Sequence, residues 1–160
     1  MKVLVLFESF FGNTERVAET MGVALGAALG SPGDVAVRRI SQGDADALEG
    51  VGLLIVGSAT RAFRPSPDTT AFLAHLAPNS LRGTKVAAFD TRIAPEDTGS
   101  AILGRLTTWF GYAAPKIAKK LAEAGGEAVA EPMGFFVADS EGPLKEGELE
   151  RAAAWVRQLA

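Results

Sequence analysis

Residues 3–14 read Val3-Leu4-Val5-Leu6-Phe7-Glu8-Ser9-Phe10-Phe11-Gly12-Asn13-Thr14. The first five side chains form a continuous apolar run, which is typical of a central parallel strand covered on both faces. After a polar turn, apolar side chains recur at helical spacing, at Val17, Met21, Ala24, Leu25 and Ala28. Gly30 then predicts the end of that helix. The stretch therefore predicts a strand, a polar turn and a helix in immediate succession.

The same alternation continues to the end of the chain. Four further strands are predicted, over residues 35–40, 51–56, 85–89 and 127–130 with 135–138. The first of these is weaker and is expected near an edge, the second stops at Gly57, and the third has Asp90 at its carboxyl end. The last strand is interrupted near Pro132. Further helices are predicted over residues 44–49 (a short helical turn), 67–76, 115–124 and 148–159. Residues 91–112 fit neither pattern clearly. Five strands with intervening helices predict an α/β fold with a doubly wound parallel sheet.

Length and composition fit one domain over residues 1–160, with 48% apolar and 22% charged residues. A net charge of -3 gives no broad basic surface for nucleic acid. The absence of cysteine excludes disulfides, thiolate metal sites and thiol nucleophiles, and His75 is a lone histidine that we expect on the surface. No segment has the length and apolarity of a leader or a membrane span, so we expect a cytoplasmic protein with no membrane partner.

Ligands of open parallel sheets bind beyond the carboxyl ends of the strands. Three loops leave those ends, over residues 8–14, over residues 58–66 and from Asp90 onward. In the first loop, hydroxyl and amide side chains stand at a helix start, where backbone N–H groups lack partners, and this pattern suits an anion. The alternative is plain N-capping by Asn13 or Thr14 without a ligand.

The first two loops carry a resemblance to a known family. Residues 9–14 match the pattern [ST]-x-[ST or aromatic]-G-[NHS]-T, and Gly57-Ser58-Ala59-Thr60-Arg61-Ala62-Phe63 is similar to G-[ST]-P-T-R-[FW]. On these motifs the chain resembles the flavodoxin-like FMN-binding proteins of the short-chain type. The resemblance implies a three-layer sandwich whose parallel sheet has the order 2-1-3-4-5, with helices on both faces and FMN as cofactor.

The resemblance also implies a set of cofactor-binding residues. The phosphate of FMN would lie on the first loop and the flavin ring beside the second and third loops. The implied residues are Ser9, Phe10, Phe11, Gly12, Asn13, Thr14, Ser58, Ala59, Thr60, Arg61, Ala62, Phe63, Asp90, Thr91 and Arg92. No catalytic residue and no metal ligand is implied.

Several side chains near these loops allow two interpretations. Phe63 would stack on the flavin or plug the base of its loop, and Asp90 would bond ring N–H groups or cap the next turn. Arg61, Arg64 and Arg92 would form a cationic rim around the ring or be ordinary surface arginines. Trp109, Phe110 and Tyr112 would form an aromatic wall or pack in the core or an interface. We expect Lys116, Lys119 and Lys120 on a solvated helix face.

The implied function is electron transfer by bound FMN, as a flavodoxin-type carrier or as a small reductase of the quinone or porphyrinogen type. The redox partner or substrate is not identified by the sequence, and a homodimer is one possible assembly. The third loop departs from the family pattern, because Asp90-Thr91-Arg92-Ile93 has no glycine. This departure motivates an alternative, in which the chain is a flavodoxin-like scaffold that lacks FMN and binds a protein or another phosphorylated ligand.

Overall fold

The structure is a computed structural model, which describes residues 1–40 and 48–160 and, for residues 107–110, the backbone alone. The strands are β1 (Val3–Glu8), β2 (Val35–Arg39), β3 (Leu53–Ala59), β4 (Lys85–Ile93), β5 (Glu127–Ala128) and β6 (Met133–Val137). The helices are α1 (Asn13–Leu29), α2 (Pro67–His75), α3 (Ala101–Phe110), α4 (Ala113–Glu123) and α5 (Glu148–Arg157). The predicted helical turn over residues 44–49 lies largely outside the described residues.

The strands form one parallel sheet in the order β2-β1-β3-β4-β5. β6 also pairs with β4, beyond the point where β5 ends, so two short strands share the last position of the sheet. The predicted flavodoxin-like order 2-1-3-4-5 is confirmed, as is the interruption of the last strand near Pro132. No helix among the described residues is long and apolar enough to cross a bilayer.

Alternate residues of the central strands pack on opposite faces of the sheet. Val3, Val5 and Phe7 of β1 belong to a core that is closed by α1 and α5. Leu4 and Leu6 belong to a second core, closed by α4 with Leu73 of α2. Both cores are buried, which explains the unbroken apolar run in β1.

β3 and β4 extend further than the sequence predicts. β3 continues past Gly57, because the backbone of residues 57–59 pairs with that of residues 89–91 in β4. β4 continues to Ile93, because its last residues pair with Gly134–Val137 of β6. Asp90 therefore lies inside β4 and not at its end, so the third loop begins after Ile93. That loop contains a 3-10 turn, Pro95–Asp97, and then α3.

Glu148 joins α5 to β6. Its Oε2 accepts hydrogen bonds from the backbone N–H of Phe136, at 2.7 Å, and from Arg151, at 2.6 Å. Arg151 also donates to the Gly134 carbonyl and lies over the Phe135 ring at 4.8 Å. Burial alone would raise the pKa of Glu148, but the hydrogen bonds from Arg151 and Phe136 and the Arg151 charge outweigh it and lower that pKa.

Glu148→Gln tests this junction. Because a carboxylate with a lowered pKa stabilises the fold only while it is ionised, we expect the variant to lose about 1–3 kcal/mol at neutral pH. The difference from the unsubstituted protein should shrink as pH falls below the ordinary value of 4.5. Urea unfolding at a series of pH values measures this. A stability difference that is the same at neutral and acid pH would contradict the assignment.

Candidate functional site

A cavity of about 420 Å³ opens at the carboxyl ends of β1, β3 and β4. Three stretches of chain surround most of it, namely the loop from β1 to α1, the end of β3 with the loop after it, and the end of β4. A fourth stretch, from the end of β6 to Glu141, completes the wall. The lining residues are Ser9, Phe10, Phe11, Asn13, Thr14, Ala59, Thr60, Arg61, Ala62, Thr91, Arg92, Ile93, Val137, Ser140 and Glu141.

The loop from β1 to α1 presents hydrogen-bond donors at a helix start. Gly12 stands at the N-cap position of α1 with φ 87°, a backbone conformation that other residues rarely adopt. Its N–H donates to Ser9 Oγ at 3.0 Å. Ser9 Oγ accepts this bond, so its own proton is still available for an outside acceptor. The first backbone N–H groups of α1, from Asn13 onward, have no acceptor within the helix.

Arg39 at the end of β2 fixes this loop from behind. Its guanidinium donates to the Ser9 carbonyl at 3.0 Å and pairs with Glu8 at 3.4 Å and Glu15 at 3.1 Å. Glu8 is buried and also accepts from the Ser9 N–H at 3.2 Å. The loop is therefore anchored on both sides of Ser9 by one arginine, a role that the sequence did not indicate.

Hydroxyl and amide side chains link the first loop to two others. Thr14 Oγ1 and Thr91 Oγ1, both buried, lie 2.8 Å apart, so one of the two protons bridges them and the other is available to a third group. Asn13 Nδ2 donates to the Glu141 carbonyl at 3.1 Å. Because an amide nitrogen carries two protons, Asn13 keeps one donor for another acceptor.

The loop after β3 is held by short-range bonds. Ser58 Oγ accepts from the Ser66 N–H at 2.9 Å and donates to the Ala59 carbonyl, so Ser58 closes the loop and does not line the cavity. Arg61 and Arg64 pair through their backbones at 2.9 and 3.0 Å. Between them, Ala62 and Phe63 adopt positive φ angles of 48° and 66°, a strained conformation for side chains with a Cβ.

Asp90 points away from the cavity. Its side chain is fully buried and accepts from Arg92 at 2.6 and 2.7 Å and from the Ala114 N–H at 2.8 Å. Burial raises the pKa of this carboxyl, while Arg92, the Ala114 N–H and the Thr60 hydroxyl oppose that rise. The prediction that Asp90 meets a ligand ring is not supported by this placement. The alternative, capping of the next turn, does not describe this placement either, because the bond reaches the start of α4, 24 residues further along the chain.

The Arg92 guanidinium is confined between a ring and a glycine. The Tyr112 ring lies 3.7 Å from it, and Tyr112 donates through its hydroxyl to the Ile93 carbonyl at 3.4 Å. A Cβ on Gly134 would lie 2.1 Å from Arg92 Nε, so a larger residue there would force the Arg92 side chain to shift. Tyr112 thus packs on Arg92, and it does not line the cavity. The side chains of Trp109 and Phe110 lie outside the described part of the chain.

The three predicted rim arginines have different positions. Arg61 lines the cavity and stands over the Phe10 ring at 4.5 Å, which joins the first and second loops by a cation–π contact. Arg92 lines the cavity but is paired with Asp90. Arg64 is exposed and faces a different cavity. His75 is exposed on α2, as predicted.

The structure brings together all the sequence-predicted site residues except Gly12, Ser58, Phe63 and Asp90, which do not line the cavity. Gly12 shapes the loop and Phe63 belongs to the strained turn. The prediction missed four lining residues, Ile93, Val137, Ser140 and Glu141. Ile93 lines the cavity because β4 is longer than predicted, and Ser140 and Glu141 line it because the turn after β6 folds against it. None of these three residues belongs to a local sequence motif.

Comparison with solved structures shows the same fold in several proteins. The alignment with a flavodoxin from the domain Archaea covers 100% of this chain and 96% of the flavodoxin, with a TM-score of 0.78 and 23% sequence identity. The alignment with flavodoxin 1 from Bacillus cereus covers 99% of this chain and 96% of the flavodoxin, with a TM-score of 0.73 and 21% sequence identity. At these identities the likeness establishes the flavodoxin-like fold.

A larger protein contains a similar unit. The rubredoxin oxygen:oxidoreductase from Desulfovibrio gigas matches 98% of this chain at a TM-score of 0.71 and 16% identity, and the match spans 34% of that protein. No protein-family model matches the sequence, and no curated protein matches it.

Asp90→Ala tests the buried ion pair. Removing one partner of a buried pair leaves the other charge uncompensated, so we expect a loss of about 3–5 kcal/mol in unfolding free energy. Asp90→Ala combined with Arg92→Met removes both charges and should be less destabilised than Asp90→Ala alone. Urea unfolding of Asp90→Ala, of Arg92→Met and of the double variant measures this. A double variant as unstable as the sum of the single substitutions would show that the charges act independently.

Proposed function

We propose that the chain binds FMN, with the phosphate at the amino end of α1 and the flavin ring between the ends of β3 and β4, and that it transfers electrons. The observation that supports this proposal is a set of hydrogen-bond donors that still have a proton available and that surround one cavity at the carboxyl edge of the sheet. A phosphate needs several donors at once, because each hydrogen bond to a charged group contributes only about 1.5–3 kcal/mol.

The donors at the amino end of α1 fit a phosphate group. Ser9 keeps its hydroxyl proton, the Thr14–Thr91 pair keeps one proton, and Asn13 keeps one amide proton, as their hydrogen bonds indicate. The unpartnered N–H groups of the first helical turn add further donors and a partial positive charge. Among the described residues that line the cavity, Glu141 is the one acidic residue. This donor set supports an anion at this end.

The remaining lining residues fit a flat, partly apolar ring. Ala59, Ile93 and Val137 supply apolar surface, and the backbone of residues 59–62 borders the same space. Arg61 brings positive charge to the cavity, whereas the charge of Arg92 is offset by its pairing with Asp90. Guanidinium groups near a ring favour its more anionic form by Coulomb attraction, so they would raise its tendency to accept electrons.

Bound FMN would supply the redox chemistry itself. The residues of the chain would bind, orient and shield it. Within the described residues that line the cavity there is no histidine, and the lone histidine, His75, is exposed on α2. The cavity therefore offers binding and electrostatics more than proton transfer. This favours electron transfer, as a carrier or as a small reductase acting on a quinone or a porphyrinogen.

The absorption spectrum of the purified protein is the first test. We expect a yellow protein with flavin absorption bands in the visible region, or a colourless protein that binds added FMN and quenches the fluorescence of the FMN. A titration then gives the stoichiometry, which should be one FMN per chain. A protein that stays colourless and ignores added FMN would favour the alternative of a scaffold without FMN.

Ser9→Ala with Thr14→Ala tests the phosphate end specifically. We expect the double variant to lose roughly 3–6 kcal/mol of FMN affinity, about a hundredfold or more, because two charge-assisted hydrogen bonds are removed. Riboflavin has the same ring and no phosphate, so its affinity should change little. Fluorescence titration with both compounds measures the difference.

The matched control is Thr20→Ala with Ser80→Ala, which removes the same groups away from the cavity. It should bind FMN as the unsubstituted protein does. Equal losses for FMN and riboflavin in the Ser9/Thr14 variant would mean that the loop acts on the ring or on folding, and would reject the phosphate assignment.

A further inference from the structure

A second cavity, of about 660 Å³, lies between α2 and α4, on the outer side of the strained turn. We call it the α2–α4 groove. Its floor is apolar and contains Leu73 and Leu76 from α2 and the segment after it. Its rim carries four cationic side chains, from Arg64, Lys116, Lys119 and Lys120. The combination of an apolar floor and a cationic rim indicates that the groove binds another molecule.

The cations of the rim are largely uncompensated. Lys120 pairs at 3.2 Å with Glu123, which also lines the groove, so the rim carries four cations and one carboxylate among the described residues. In residues 1–40 and 48–160, no carboxylate lies within ion-pair distance of Arg64, Lys116 or Lys119. All four cationic residues are exposed. The chain as a whole has a net charge of -3, so this concentration of positive charge is local.

The groove and the proposed flavin cavity share one loop. Arg64 borders the groove, whereas Arg61 and Ala62 line the flavin cavity, and Arg61 and Arg64 are paired through their backbones. Lys116 of α4 donates to the carbonyl of Phe63 within the same turn. A molecule in the groove would therefore touch the loop that forms one wall of the flavin cavity.

We propose that the α2–α4 groove docks an acidic segment of a protein partner, in which apolar side chains alternate with carboxylates. The rim matches carboxylates by charge, and the floor matches apolar side chains. Nucleic acid fits less well, because the lining residues that the structure describes include no aromatic side chain to stack on bases. The role of this partner in electron transfer rests on the proposed function, but the docking itself does not.

A synthetic peptide with a Glu-Glu-Leu repeat, carrying a fluorescent label, is the probe. Anisotropy at low ionic strength should show saturable binding that weakens with added salt, since exposed charges are screened. Amide NMR shifts should change along α2, α4 and residues 61–64. A Lys-Lys-Leu peptide should not bind, and a Glu-Glu-Ser peptide should bind clearly less well.

Lys119→Glu is the diagnostic variant, and Arg157→Glu is its control with the same change in net charge. Arg157 is exposed on α5, on the other side of the sheet. We expect Lys119→Glu to weaken peptide binding about tenfold, because an attraction becomes a repulsion, and Arg157→Glu to leave it nearly unchanged. Ala74→Glu, which places a carboxylate inside the groove, should also weaken binding.

FMN titrations of the same variants keep the two proposals separate. Lys119→Glu should bind FMN normally, which also shows that it is folded. Peptide binding without any FMN binding would support the groove and overturn the proposed function. Three results would overturn the groove: equal effects of the two charge reversals, equal binding of the three peptides, or tighter binding of a labelled single-stranded oligonucleotide than of the acidic peptide.

Discussion

The buried Asp90 carboxylate joins parts of the structure that are distant in sequence. It lies in the middle of β4, holds the Arg92 guanidinium and accepts from the Ala114 N–H at the start of α4. Because a buried carboxylate needs compensating partners, this arrangement fixes the direction in which α4 leaves the preceding turn. It also turns Arg92 between Tyr112 and Gly134, at the edge of the cavity. The position of Arg92 in the part of the cavity lining that the end of β4 supplies depends on this interaction.

The fold was predictable because its signals are local and repeated. β1 and β3 are buried on both faces, and such strands are visible as apolar runs in the sequence. The extra length of β4 was not predictable, because its last residues are polar or half-exposed and owe their strand geometry to pairing with β6. The sequence alone therefore places Asp90 at the start of the third loop. Local composition carried no information about a partner strand more than forty residues away.

The site was predictable to the extent that short motifs follow strands. The first loop and the end of β3 were located from such motifs, and their residues do surround one cavity. Contacts that form only in the folded chain were missed, as with Arg39 on Ser9 and the Glu141 carbonyl on Asn13. Contacts that form only in the folded chain also give some predicted residues a role other than the expected one. Thr60 lines the cavity, yet its hydroxyl accepts from the Ala113 N–H and interacts with Asp90.

The strained turn at Ala62 and Phe63 is the point where the cavity and the α2–α4 groove depend on each other. Left-handed backbone costs roughly 1–2 kcal/mol per residue for side chains with a Cβ, so other contacts must hold it. Those contacts are the Arg61–Arg64 backbone pair, the Ser58–Ser66 bond and Lys116 on the Phe63 carbonyl. Ser66 also caps α2 through Thr69. Since residues of the same segment line both cavities, a rearrangement of this turn would change the lining of both.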